Sequence, residues 1–305
     1  MMRVMLVDDP HARIANLALM KWSGYHKARG DTVAFTMPNP DRIYGSCIFS
    51  SSKRRFLQGL SLYRDVFGVE VKVGGYAMNG DPLPDEVEHT RPDYDLYGID
   101  YSLGFTTRGC VRGCSFCVVP KMEGALRENS PFEEFVDDRF RKIVLLDNNL
   151  LASRKAALKL QYLRDSGLKV NFNQGLDLRF MDEGMASLLA DVKWWNLHFT
   201  RRSLHFAWDL MESEEQVMNG LKMLLGYVLP TYVVVYILIG YNTSHEQDVY
   251  RAHSLLKLGV APFAMIYNDR RDDPWLRFFA RWLDREYWRS VPFEDFKDGK
   301  LVTLI

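Results

Sequence analysis

Cysteine is scarce in this chain. Four cysteines in 305 residues do not make a disulfide framework and suit a reducing compartment. The seven histidines form no His-x3-His pair, and there is no second Cys-x2-Cys. A zinc site would therefore have to find its ligands at unusual spacing. Net charge is missing too, with 39 basic against 39 acidic residues. That removes any bulk electrostatic case for nucleic acid. The short runs Lys53-Arg54-Arg55 and Arg201-Arg202 would be a local handle, and such runs commonly form solvated faces. The longest apolar run, residues 232–240, is far too short to span a bilayer. The apolar start at Met1–Val7 stops at Asp8-Asp9, so no signal peptide is expected. Low-complexity segments are absent. What remains is 47% hydrophobic residues, enough to bury a core. The expectation is a cytoplasmic protein with no membrane partner.

The first 80 residues alternate strand and helix patterns. Strands are predicted at 3–7, 32–37, 43–50 and 69–73, and helices at 16–28 and 54–66. Short links between them predict a small doubly wound parallel sheet, which would bind ligands at the carboxyl ends of its strands. Residues 81–100 read as a linker, with Pro82, Pro84 and Pro92 among many acids. Tyr94 and Tyr97 are the residues to dock it.

From residue 101 to 290 the alternation continues. Strands are predicted at 101–107, 143–146, 169–173, 203–208, 232–239 and 262–267; for the fourth, 195–200 competes with 203–208. The helices between them are 131–140, 153–166, 182–191, 214–227 and 245–257, with a final aromatic-rich one at 274–289. Ser130-Pro131 gives the first of these a start signal. The strand at 232–239 reads as fully buried. The tail, 291–305, is short, and polar from Asp295 to Lys300.

Three of the four cysteines lie within eight residues, Cys110-Val-Arg-Gly-Cys114-Ser-Phe-Cys117. Three thiolates on one loop can hold three irons of a [4Fe-4S] cluster, since soft sulfur suits iron–sulfur and zinc centres. A closed structural site takes four ligands. Three leave one iron open to a substrate or second cofactor. The competing readings are zinc, completed by Cys47 or a histidine, and three core cysteines. Cys47 itself is predicted inside the third strand, as a small buried residue with no special role.

The Cys-x3-Cys-x2-Cys motif with Phe116 before its last cysteine resembles the signature of the radical S-adenosylmethionine (SAM) enzymes. Gly104–Gly109 before it, and Val118-Val119-Pro120 with Glu123-Gly124 after it, resemble the branch with an N-terminal cobalamin-type domain. The resemblance implies a partial (β/α)6 barrel of the TIM type behind the N-terminal sheet. It implies that Cys110, Cys114 and Cys117 hold the cluster and that SAM chelates the open iron. An electron from the cluster then cleaves SAM to methionine and a 5′-deoxyadenosyl radical. A reductant such as flavodoxin or ferredoxin is the implied partner, and the substrate is unidentified. Phe116, Asp147-Asn148-Asn149 after the second strand, and Leu238 and Gly240 at the fifth are the implied SAM neighbours. The fifth strand lacks the family's first glycine and its glutamate. Gln174, Asp177 and Arg179 are candidates for ribose, carboxylate or substrate, or else for an ordinary strand-end salt bridge.

Cobalamin domains of this shape carry Asp-x-His-x-x-Gly after the first strand. Here Asp9-Pro10-His11-Ala12-Arg13 matches, but Ile14 replaces the glycine. Ser50–Ser52 and Gly74-Gly75 fall at the other two cobalamin positions. Two readings stand side by side, bound cobalamin with methyl transfer, or a packing module in which His11 caps a helix. Methylthiotransferases of tRNA are similar around the cluster loop. They carry an extra RNA-binding barrel and further cysteines that this sequence lacks. Modification of tRNA and a non-catalytic iron–sulfur or zinc scaffold are the alternatives to a radical SAM enzyme of unknown substrate.

Overall fold

The computed structural model describes residues 1–78 and 82–296. Residues 79–81, and the end of the tail from 297 on, lie outside the described residues. Contacts divide the chain into two compact units, Met1–Asp147 and Asn148–Ile305.

The first unit opens with β1 (Arg3–Asp8), α1 (Leu17–Lys27), β2 (Thr32–Ala34), β3 (Arg42–Ser46), α2 (Lys53–Phe67) and β4 (Val71–Gly74). The four strands pair in parallel in the order β2-β1-β3-β4. Period-two alternation explains the layers. Val4, Leu6 and Tyr44 pack with Leu19 of α1, whereas Met5 and Ile43 pack with Phe56 and Leu60 of α2. Asn16 caps α1 by accepting the Leu19 N–H. His11, predicted as a helix cap, instead sits exposed in the turn after β1, where its N–H donates to Asp9.

The segment read as a linker belongs to the first unit. It forms the short α3 (Asp85–Glu88) and a turn at Tyr94–Leu96. Lys21 of α1 pairs with Glu88 at 3.0 Å, Tyr94 is buried against the Phe135 carbonyl, and the Tyr97 hydroxyl donates to Asp8 at 2.6 Å. Then come β5 (Ser102–Gly104), β6 (Thr107–Arg108), α4 (Val119–Met122), β7 (Arg127–Glu128) and β8 (Lys142–Leu145). β5 pairs in parallel with β8, and β6 antiparallel with β7. The predicted single strand 101–107 is thus broken near Phe105.

The helix predicted at 131–140 is a single 3-10 turn, Phe132–Glu134. Its backbone is taken by tertiary partners. Tyr94 donates to the Phe135 carbonyl, and Asp137 N–H donates to the Ser102 hydroxyl at 2.9 Å. Phe135 lies so close over Gly104 that a Cβ there would sit 2.4 Å from its ring. Start signals for a helix lose to these contacts.

The second unit contains α5 (Ala156–Ser166), β9 (Lys169–Phe172), α6 (Glu183–Asp191), β10 (Leu204–Ala207), α7 (Glu214–Leu225), β11 (Val233–Ile239), α8 (His245–Lys257), β12 (Ala261–Ile266) and α9 (Pro274–Asp284). Strands β10-β11-β12 form a parallel sheet, with single parallel bridges from Val170 to Trp194 and from Leu176 to Phe206. The fourth strand is the 203–208 candidate. β11 is not uniformly buried: Val233, Val235, Ile237 and Ile239 are, but Val234, Tyr236 and Leu238 are half-buried. The final helix stops at Asp284, and Glu286 turns left-handed behind it (φ 56°).

The fold is therefore α/β with several small parallel sheets. Among the described residues no sheet closes into a barrel. No helix in them is long and apolar enough to cross a membrane.

Candidate functional site

The cysteine loop runs from the end of β6 to α4. Its neck is held by one carboxylate. Glu123 accepts the Gly109 N–H at 2.8 Å through one oxygen and pairs with Arg108 at 2.9 Å through the other, which also takes the Tyr76 hydroxyl. Arg108 lies over the Phe105 ring at 3.8 Å and pairs with Glu88 at 3.3 Å. Burial opposes its charge, and the Glu88 and Glu123 carboxylates more than offset that, so its pKa is raised. The Cys110 N–H donates to the Gly124 carbonyl at 3.2 Å, closing the neck. Gly109 has φ +75°, and a Cβ on it would lie 2.3 Å from the Ala125 carbonyl oxygen, so the loop requires glycine here.

Within the loop, the Arg112 N–H donates to Cys110 Sγ at 3.4 Å and the Cys117 N–H to the Cys114 carbonyl at 3.0 Å. Cys110, Cys114 and Cys117 are all half-buried, none joined in a disulfide. Phe116 stands between the last two, half-buried. Among the described residues, no three His, Cys, Asp or Glu side chains gather closely enough for a single metal ion. Three thiols on one loop are one ligand short of a closed tetrahedral zinc site, and soft sulfur donors of this number are the kind of set that an iron–sulfur cluster takes.

Cys47 differs in every respect. It is fully buried directly after β3, not inside the strand as predicted. Its thiol donates to Asp9 at 3.6 Å, and burial pushes its pKa up. Asp9 also accepts the N–H groups of Ile48 (2.9 Å) and Phe49 (2.8 Å) with the same oxygen. Burial would raise the Asp9 pKa, but these hydrogen bonds, led by Phe49, bring it down to about 2. Gly75, after β4, turns back at φ +98°, and a Cβ there would strike the Cys47 carbonyl oxygen at 2.2 Å. The strand order reverses between β1 and β3, which is where a doubly wound sheet binds ligands. Here that position is bridged by the protein's own Asp9.

Asp147 lies at the end of β8 as predicted. It accepts four hydrogen bonds, from the N–H and hydroxyl of both Thr106 and Thr107, at 2.5–3.1 Å. Three of these reach Oδ1 and one reaches Oδ2, so the side chain fixes the chain just before the cysteine loop.

In the second unit the strand ends carry a separate polar group. Buried Asn149 donates to Asp177 at 3.0 Å, and Asp177 grips Arg179 through its Nε (2.7 Å) and Nη2 (3.0 Å). Burial acts to raise the Asp177 pKa, but the Arg179 guanidinium outweighs it and holds the carboxyl below its ordinary range. Asn148 is half-buried beside Asn149, and Gln174 is exposed, next to Gly175. The Leu238 carbonyl accepts Arg251 Nη2 at 2.6 Å. Gly240 closes β11 at φ +75°, with Leu276 so near that a Cβ would lie 2.4 Å from it.

Asp209, two residues past β10, is not singled out by the sequence but stands out in the structure. Burial pushes its carboxyl up to about 6, against the opposing pull of Arg251 and Arg179. The position was legible in the strand pattern, but the low-dielectric setting was not.

A scan against protein-family models and a search of curated proteins each found no match to this chain.

Proposed function

We propose that this protein is a radical SAM enzyme. Cys110, Cys114 and Cys117 hold a [4Fe-4S] cluster, and Phe116 shields its edge. The bound cluster and SAM supply reductive cleavage and a radical that modifies an unidentified substrate. The chain's own part is to bind, orient and exclude water. Glu123 and Arg108 fix the neck of the loop, and Asp147 fixes its approach. Within the second unit, Asn148, Asn149, Gln174, Asp177, Arg179, Leu238 and Gly240 are proposed as cofactor-binding residues. The finer architecture proposed is the partial (β/α)6 barrel behind a Rossmann-like module. The strand and helix alternation supports it. Cytoplasmic residence follows from the need to keep the thiols reduced.

The observation that carries the reading is three accessible, non-disulfide thiols on one braced loop, without a fourth. Cobalamin is not included in the proposal, because Asp9 and Gly75 fill the strand-end positions with protein contacts. The test is anaerobic reconstitution with iron and sulfide, reduction, and assay of 5′-deoxyadenosine against Cys114→Ala. Product in wild type but not in the variant supports the reading. One zinc per chain with no labile sulfide would sink it. A bound cluster without SAM cleavage would favour a redox sensor.

A further inference from the structure

At the amino-terminal ends of β10 and β11 the second unit has a cavity of about 210 Å³. It lies at the opposite end of these strands from Asp209 and Gly240. Ala190, Trp194, Arg202, Tyr227, Val228, Leu229 and Tyr232 line it. Three of these are aromatic, one is a cation, and none is an acid.

Arg202 is the unusual member. Its guanidinium lies 3.7 Å over the Trp194 ring. Its Nη2 makes a long hydrogen bond to the Val192 carbonyl, 3.4 Å, and its buried Nε has no partner. Burial lowers its pKa, and the Tyr232 hydroxyl is the one group opposing that. Among the described residues of this unit, the other arginines that are not exposed are paired, half-buried Arg179 with Asp177 and fully buried Arg251 with Asp248. A half-buried guanidinium without a carboxylate is an incomplete charge pair, and its planar fork matches carboxylate or phosphate.

We propose that this cavity binds a small organic oxyanion, a carboxylate or phosphate carried on a flat or aliphatic body. Arg202 takes the anion. Tyr227, Tyr232 and Leu229, all exposed large side chains at the mouth, take the apolar body. The volume is below the roughly 300 Å³ of a drug-sized pocket, which limits the ligand to a ring or a short chain. The proposal is independent of the cluster chemistry.

The probes are benzoate, phenyl phosphate, inorganic phosphate and neutral benzamide, titrated by calorimetry into the full chain. Expected are saturable binding of benzoate or phenyl phosphate, no binding of benzamide, and a weakening of about tenfold or more in Arg202→Met. Which of the two phenyl probes binds more tightly distinguishes a carboxylate from a phosphate source. Inorganic phosphate tests whether the apolar body contributes. Benzamide binding as well as benzoate, equal affinity in the Arg202→Met variant, or no binding of any probe at millimolar concentration would overturn the proposal. Circular dichroism checks that Arg202→Met folds. If it does not, Tyr227→Ala at the rim replaces it: weaker benzoate binding supports the pocket, and unchanged binding refutes it.

Discussion

The Glu123 carboxylate accepts the backbone N–H of Gly109 at 2.8 Å, one residue before the first cysteine of the loop. The same side chain neutralises Arg108 and is itself almost buried, at 8% exposure. One acid thereby sets both the backbone angle and the charge at the entrance to the cysteine turn.

Replacing Glu123 by Gln keeps the shape and removes the charge. Hydrogen bonds to charged groups contribute about 1.5–3 kcal/mol, and Arg108 retains Glu88. A stability loss of about 2 kcal/mol in urea unfolding is expected and, on the proposed cluster, fewer irons retained per reconstituted chain after desalting. Wild-type stability and iron content in the variant would show that the brace is dispensable.

Gly109→Ala forces a left-handed backbone onto a residue with a Cβ and drives that Cβ into the Ala125 carbonyl. Such strain costs on the order of 1–3 kcal/mol. The variant should unfold earlier in urea and, on the proposed cluster, lose iron faster after reconstitution, whereas Gly113→Ala, where the space is open, should do neither. Equal behaviour of the two variants contradicts the assignment.

Asp209 carries a proton more readily in the folded state, with its pKa raised from 3.8 to about 6. The folded chain then holds more protons than the unfolded one between those values. Stability from this group therefore falls as pH rises from about 4 to about 6, by up to roughly 2–3 kcal/mol. Asp209→Asn removes the titration. It should flatten the slope over that window and be relatively more stable at pH 7. A slope identical to wild type would place the carboxyl in a more polar setting.

Asp9 has the opposite sign. Its pKa falls from 3.8 to about 2, so its contribution is complete above about pH 4 and disappears as pH drops toward 2. It amounts to about 2 kcal/mol. Asp9→Asn has one acceptor oxygen for two sides: turned to the Ile48 and Phe49 N–H groups it faces the His11 N–H with its own amide N–H, and flipped it does the reverse. We expect a loss of about 2 kcal/mol at pH 7 and a smaller dependence on acid. A calorimetric pH series checks both.

Arg251 and Asp248 form an ion pair with both side chains fully buried, at 2.6 Å, and Arg251 also binds the carbonyls of Trp208 and Leu238. Removing one partner of such a pair costs about 3–5 kcal/mol, while replacing both by apolar groups is often tolerated. Asp248→Ala alone should therefore lower the melting temperature much more than Asp248→Leu combined with Arg251→Met. If the double variant is the worse one, the carbonyl contacts of Arg251 dominate.

The sequence alone determined the local periodicities and the cysteine spacing. Short runs of strand-forming residues predict β1, β3 and β11, and Asn16, Ser244 and Asp273 mark helix starts that chain-local hydrogen bonds suffice to set. The count of three cysteines within one turn is also a one-dimensional fact, and it suffices to suggest a cluster. Tertiary structure alone decided the rest. Residues 131–140 carry helix signals, yet Tyr94 and Ser102 capture their backbone. Asp147 has no partner legible in the sequence, yet Thr106 and Thr107 donate four hydrogen bonds to it. Asp209 is an ordinary acid in the sequence, and only burial among the strand ends raises its pKa. Arg202 reads as half of a surface charge pair until it lies on Trp194 without a carboxylate. Each of these depends on which distant groups share a hydrogen bond or a low-dielectric space. A sequence pattern does not encode that, because the partners are far apart along the chain.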